Sequence, residues 1–154
     1  MPLPESISDN STAAALADLA TTGKLEFGEL TIEVAPSNIV EALDRARTSL
    51  GFDRLSTVTG LDRYPAEPRY EVVYHLQSIS TKARLRVKAR VPGDNPRIES
   101  VCPVYRAANW YEREVFDFFG VHFLNHPDLK RIMLPEDFEG HPLRKDFPVT
   151  GMRY

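Results

Sequence analysis

Four prolines, at 127, 135, 142 and 148, cut the last third of this chain into pieces too short for any long helix or strand. Proline lacks an amide hydrogen and its ring clashes with the preceding turn. Yet the same stretch is rich in apolar side chains. Val121, Phe123, Leu124, Leu129, Ile132, Met133, Leu134, Phe138, Leu143, Phe147, Val149, Met152 and Tyr154 follow neither a helical nor a strand period, whereas disordered tails are poor in such residues. A long connection without structure of its own in a small domain is functional or disordered. The segment therefore reads as an extended, Pro-rich docking arm, ordered by contact with a partner.

Upstream, the pattern is that of a small folded domain. The chain has 154 residues, enough for one domain plus an appendage, and its 42% hydrophobic content supports a moderate core. An Ala-rich helix is expected over 11–20, with Asp9, Asn10 or Ser11 as its cap. Residues 24–35 alternate as a strand, with a short partner across Gly28. Ser37 is placed to cap a helix over 37–50, whose apolar stripe is Ile39, Val40, Leu43, Ala46 and Leu50, with Gly51 just past its end. Strands follow over 52–61, 70–79 and 82–91, the last two joined by the short Ser80-Thr81 connection, which suggests an antiparallel hairpin or meander. Helices and strands intermingle without a βαβ repeat, which favours an α+β two-layer domain with helices on one sheet face. Residues 1–106 form this core domain, and 107–154 a helix followed by the arm.

The helix expected over 107–119 ends at Gly120, a residue suited to a left-handed cap. It gathers Trp110, Arg113, Glu114 and Asp117 on one side. Carboxylates beside an arginine suit an acid-base site, but they suit better an ion-pair network in which Glu112, Arg113 and Asp117 hold the arm's first turn and present charge to a neighbour. His122, His126, Asp128 and His141 suggest a metal site, and His122 and His126 have the spacing of helical zinc ligands. Gly120 and Pro127 spoil that geometry, so His126-Pro127 and His141-Pro142 are read as turn formers whose rings bond backbone or a carboxylate.

Lys82, Arg84, Arg86, Lys88 and Arg90 alternate with Ala83, Leu85, Val87, Ala89 and Val91. That is a strand with one buried face and one basic face, facing either solvent or an acidic partner such as a protein or RNA. RNA binding calls for interleaved aromatics, and only Tyr70 and Tyr74, on the neighbouring strand, are near. The net charge of −3 argues against a nucleic-acid-binding surface overall. Cys102 is the only cysteine, so no disulfide forms within the chain and no iron-sulfur cluster is held by it. There is no Gly-rich phosphate loop and no nucleophile triad. No apolar run approaches the roughly 18 to 20 residues that cross a bilayer. The start, MPLPESISDN, lacks the basic and apolar parts of a secretory leader.

Glu112-Arg113-Glu114, Asp117, Gly120, His126-Pro127-Asp128-Leu129 and Glu139-Gly140-His141-Pro142-Leu143-Arg144-Lys145-Asp146 together resemble the C-subunit family of respiratory complex I, the proton-translocating NADH:quinone oxidoreductase. Two positions depart mildly: Lys130 where Arg is more usual, and Phe138 where Trp is common. The resemblance implies a mixed sheet and a structural component of the peripheral arm without catalytic, cofactor-binding or metal-binding residues of its own. NADH, FMN, iron-sulfur clusters and quinone would lie in partner subunits. The partners implied are chiefly the quinone-site D subunit, with the iron-sulfur B and I subunits nearby, on the cytoplasmic side of the inner membrane or its organellar equivalent. Membrane association is then indirect, and no nucleic acid is expected. The family-motif and interface residues are Glu112, Arg113, Glu114, Asp117, Gly120, His126, Pro127, Asp128, Arg131, Pro135, Gly140, His141, Pro142, Arg144, Lys145, Asp146 and Pro148. The alternatives are the same module in a membrane-bound hydrogenase or coenzyme-dependent dehydrogenase, and a free-standing RNA-binding module built on the basic strand.

Overall fold

The computed structural model describes residues 10–150; Asp9, Met152 and Tyr154 lie outside them. Helix α1 (Ser11–Leu16) starts on Asn10, whose side-chain oxygen accepts the N–H groups of Thr12 and Ala13 at 3.0 Å. The helix is shorter than expected, because Ala20–Glu26 forms strand β1. There, pairing with strand β2 (Glu29–Val34) outweighs the helical preference of the preceding alanines. The two strands meet across Phe27 and Gly28, at φ +52° and +75°, the left-handed pair that a two-residue hairpin turn needs.

After β2, Pro36–Asn38 makes a single 3₁₀ turn before helix α2 (Ile39–Thr48). Ser37 therefore lies inside the turn and does not cap the helix, correcting that expectation. Proline's preset φ opens the turn instead. Strands β3 (Arg54–Asp62), β4 (Tyr70–Gln77) and β5 (Arg84–Val91) follow. Lys82 sits at φ +63° in the β4–β5 turn, so the basic face holds Arg84, Arg86, Lys88 and Arg90 but not Lys82.

The five strands run in the order β1-β2-β5-β4-β3, with β2 and β5 parallel and every other pair antiparallel. Leu30, Ile32 and Val34 of β2, Tyr70, Val72, Tyr74 and Leu76 of β4, and Leu85, Val87, Ala89 and Val91 of β5 share one buried core with the helices. This is the α+β, two-layer, mixed-sheet architecture that the sequence suggested. A small second sheet pairs β6 (Arg97–Glu99) with β7 (His122–Leu124) in parallel, burying Ile98 and Phe123. At three residues each, these strands are too short to show a period in sequence.

Helix α3 (Ala108–Phe119) packs against β3 and places Ala108, Val115 and Phe119 in the core. The approach is close at Gly60, where a Cβ would stand 2.7 Å from the Phe119 ring and 3.3 Å from Val115. Gly60→Ala is therefore expected to destabilise the fold by about 1–3 kcal/mol through overpacking, read as a lowered denaturant midpoint with unchanged m. An unchanged midpoint would mean that the helix shifts freely on the strand.

Candidate functional site

From Asn125 to Thr150 the chain has no helix or strand and runs as successive turns and bends. Several of its backbone and charged groups are nevertheless held, chiefly by the C-terminal half of α3. Asp117 is fully buried. Its Oδ2 accepts three consecutive backbone N–H groups, from Ile132 (3.1 Å), Met133 (2.7 Å) and Leu134 (2.9 Å). Its Oδ1 accepts Arg131 Nη1 at 2.8 Å. Burial opposes ionisation, but Arg131 and the three N–H donors hold this carboxyl below the usual carboxylate range. Arg113 donates to the carbonyls of Lys130 (3.0 Å) and Arg131 (3.1 Å). The partner of Asp117 is thus Arg131, and Arg113 serves backbone, which corrects the expected Arg113–Asp117 pairing.

The last carbonyls of a helix have no partners within it. Here the later segment supplies them: His141 Nδ1 meets Asp117 O at 2.9 Å, Leu143 N donates to Phe118 O at 3.2 Å, and Arg144 Nε donates to Phe119 O at 2.7 Å. Gly120 takes the left-handed cap at φ +76°, as expected, and a Cβ there would run into the Arg144 guanidinium and the His141 ring. Arg131 also reaches Gly140 O at 2.7 Å.

A second anchor lies on the sheet. Asp62, at the end of β3, accepts Arg69 Nε (2.9 Å) and Nη2 (2.8 Å) and the backbone N–H groups of Tyr64 (2.9 Å) and Lys145 (2.8 Å). Arg69 also pairs with Asp146 at 2.9 Å. The Arg69 guanidinium holds the Asp62 carboxyl far below the carboxylate range, against the opposing effect of burial. Neither Asp62 nor Arg69 stands out in the sequence, since nothing local links them to a residue 83 positions downstream.

On the other side of α3, Glu112 is fully buried. It accepts Ser100 Oγ at 2.7 Å, Val101 N at 2.8 Å and Cys102 Sγ at 3.5 Å. Burial pushes its pKa up to about 7, despite those donors. His126 stands 3.8 Å away, and its Nδ1 accepts Asp128 N–H at 2.9 Å. Its Nε2 must then carry the proton, which points to Asn109 O at 3.0 Å. Among the described residues, Cys102, Glu112 and His126 are the group of potential ligands that comes together, within 4.8 Å, rather than His122, Asp128 and His141. A ligating imidazole donates its other N–H to an acceptor, and here Nδ1 faces a donor, so this histidine is set for backbone.

The remaining motif residues divide by exposure. Glu114 is exposed beside β3, Pro127, Pro135, Asp128 and Pro148 are exposed or nearly so, and Pro142 is half-buried. Glu112 and Asp117 present no charge to any neighbour, because both are sealed inside the fold. The order of the segment likewise comes from its own domain, not from a partner alone. The basic strand is largely neutralised in place: Arg84 and Arg86 face Glu29 at 3.2 and 3.8 Å, Lys88 meets Glu71 at 3.2 Å, and Arg90 donates to Pro68 O. Tyr70 and Tyr74 lie in the core on the opposite face, unavailable for stacking on bases. Chemically, the arrangement is a set of buried locks. Every buried carboxylate around α3 is engaged by donors.

Residues 32–153 match the family model described as the 30 Kd subunit of respiratory-chain NADH dehydrogenase. The C subunit of the NADH-quinone oxidoreductase of Geobacter metallireducens is 50% identical over 125 residues, 80% of this chain and 77% of that protein. The C subunit of the Ruegeria pomeroyi enzyme is 43% identical over 137 residues, 88% of this chain and 68% of that protein. Among solved structures, a chain of the membrane-bound sulfane sulfur reductase, an archaeal respiratory membrane complex, aligns with TM-score 0.78 at 32% identity, covering 90% of this chain and 82% of that one. The trypsin-resistant fragment 1–134 of Nqo5 aligns with TM-score 0.64 at 32% identity, over 70% and 89% of the two chains. No helix among the described residues is long and apolar enough to cross a membrane. The motifs around α3 and these relatives agree: the chain belongs to the family of the 30 Kd subunit of respiratory-chain NADH dehydrogenase, the C subunits of the NADH-quinone oxidoreductases of complex I.

Proposed function

We propose that the chain is a structural, non-catalytic component of the peripheral arm of a proton-translocating NADH:quinone oxidoreductase. Electrons would pass from NADH through FMN and iron-sulfur centres to quinone in its partners. In this reading the domain 1–106 carries the docking unit 107–154, which binds chiefly the quinone-site D subunit, with the iron-sulfur B and I subunits nearby, on the cytoplasmic side of the membrane. The observation that carries it is the combination of rigidity and apolar exposure in 125–150. The backbone is pinned by Asp117, Arg131, Arg144 and Asp62, yet Met133 and Leu143 remain 63% and 53% exposed, and Trp110 of α3 is 58% exposed. Apolar side chains held exposed on a fixed backbone support an interaction surface.

Purification of the native assembly through a tag on this chain tests the reading. Mass spectrometry is expected to recover the oxidoreductase subunits, with the quinone-site subunit directly cross-linked, while the isolated chain oxidises no NADH. A tagged chain recovered alone from cells that assemble the complex would overturn it. The likeness to the sulfane sulfur reductase chain favours one second reading, the same module in another membrane-bound respiratory complex. Recovery of a different set of redox subunits would decide for that reading.

A further inference from the structure

Strand β3 and helix α3 meet along a line with a hollow toward each end, together a groove. We propose that it receives an extended strand of another polypeptide, which places an acidic side chain at the groove's arginine end and an apolar one under Phe118. This rests on the reading that the chain works within a multisubunit complex. β3 is an edge of the five-stranded sheet and, among the described residues, pairs with β4 alone. The Arg63 N–H to Arg69 C=O bond, 2.8 Å, sets the parity of that ladder. Bonded and non-bonded pairs alternate in an antiparallel pair, so Leu61 and Thr59 bond toward β4 while Val58 and Gly60 turn N–H and C=O outward. Outside the β4 ladder, the backbone of Arg54–Asp62 makes no backbone hydrogen bond among the described residues. Native edges are covered or blunted with charges, prolines and bulges; between Leu55 and Leu61 this one has no charge and no proline, and its one register shift, at Leu55–Thr57, lies short of Val58 and Gly60.

The other wall of the groove is a stripe of α3, Tyr111, Val115 and Phe118, at helical spacing. At one end Phe118, Val115 and Leu143 enclose with β3 a hollow of about 150 Å³, the scale of one apolar side chain. At the other end Arg47, Arg54 and Arg106 line a wider hollow, Arg47 donating to Val104 O, while Arg54 and Arg106 are exposed with no ion-pair partner among the described residues. The carboxylate there, Asp53, accepts the Ile79 N–H. The excess of cations selects an acidic residue at that end, and Glu114 beside the apolar hollow repels one, which fixes the direction of charge along the guest. Strand addition of this type takes affinity from main-chain bonds and specificity from alternate side-chain pockets. A second copy of this chain fits poorly, since the acidic residue that its β3 would bring to the arginine end, Asp62, is already held by Arg69.

Hydrogen exchange tests the proposal in the complex purified through this chain. The amides of Val58 and Gly60 are expected to exchange at least about tenfold more slowly there than in the isolated full chain. A photo-cross-linking residue at position 114 is expected to join one segment of another subunit containing Asp or Glu. Arg54→Glu combined with Arg106→Glu, both at exposed positions, is expected to slow incorporation about tenfold at low salt with unchanged Tm. Unchanged exchange in an intact complex, cross-links to a second copy, to a helix or to the chain itself, or normal incorporation of the charge-reversed chain would overturn the groove assignment while leaving the reading of the chain as part of the complex standing. A chain that joins no complex would overturn both.

Discussion

Asp117→Asn is expected to loosen residues 130–144 from helix α3 at a cost of about 3–5 kcal/mol, the range for breaking a buried ion pair from one side. The native carboxylate meets one guanidinium and three N–H groups, all donors. An asparagine has only one oxygen, and whichever way it turns, its NH₂ group faces a donor. Arg131, 12% exposed in its side chain, is left without a counter-charge. Because the sheet and its helices lie upstream, the loss is expected to appear first as faster hydrogen exchange and protease cleavage within 130–144, with a smaller drop in Tm. Incorporation into the complex should fall with it, since Met133 and Leu143 no longer hold a fixed surface. Native-like exchange in that segment would show that the three N–H groups find other acceptors and that Asp117 is not its anchor.

Glu112→Gln is expected to act in the opposite direction and only at higher pH. Burial raises the folded-state pKa to about 7 from an ordinary value of 4.5. Between those values the folded chain keeps a proton that the unfolded chain has released, so the wild type loses stability as pH rises through this window, and the whole penalty is present above pH 7. Glutamine does not titrate, still offers an oxygen to Val101 N–H, and lets the Ser100 hydroxyl rotate to accept. The stability of the variant relative to wild type should therefore grow by up to roughly 3 kcal/mol between pH 5 and pH 8. Burial holds His141, remote from the substitution, below the ordinary histidine range in both proteins, so its titration cancels from the difference; His126, 3.8 Å from Glu112, is held low by its own burial. Parallel stability curves for the two proteins would mean that Glu112 is ionised throughout and compensated by its donors.

Much of the fold was legible because it rests on periodicity. The alternation of Leu85, Val87, Ala89 and Val91, the apolar stripe of α2 and the Gly120 cap each follow from neighbours in sequence. Local preference failed where pairing at a distance overrode it, as at Ala20, drawn from the end of a helix into strand by β2. The site was half legible. Its motif residues Arg113, Asp117, Arg131, His141 and Arg144 do come together, but who bonds whom is set by the path of the irregular segment, which no period describes. Arg113 was the nearer candidate for Asp117 in sequence, and the chain's turn at 130–134 brought Arg131 there instead. Asp62, Arg69 and Ser100 carried no local sign of their part, because their partners come from remote turns or from the opposite face of α3.

The double engagement of Asp62 also orders events during synthesis. Its first partner, Arg69, is only seven residues later, while Lys145 follows after 83. At typical elongation speeds of roughly 5–20 residues per second, several seconds separate the two. A nearly buried carboxylate is thus never left waiting in the nascent sheet without a cation. The Asp62–Arg69 pair spans one strand connection, so the Lys145 N–H is the last of the Asp62 donors to be translated and meets a carboxylate whose cation is already in the chain.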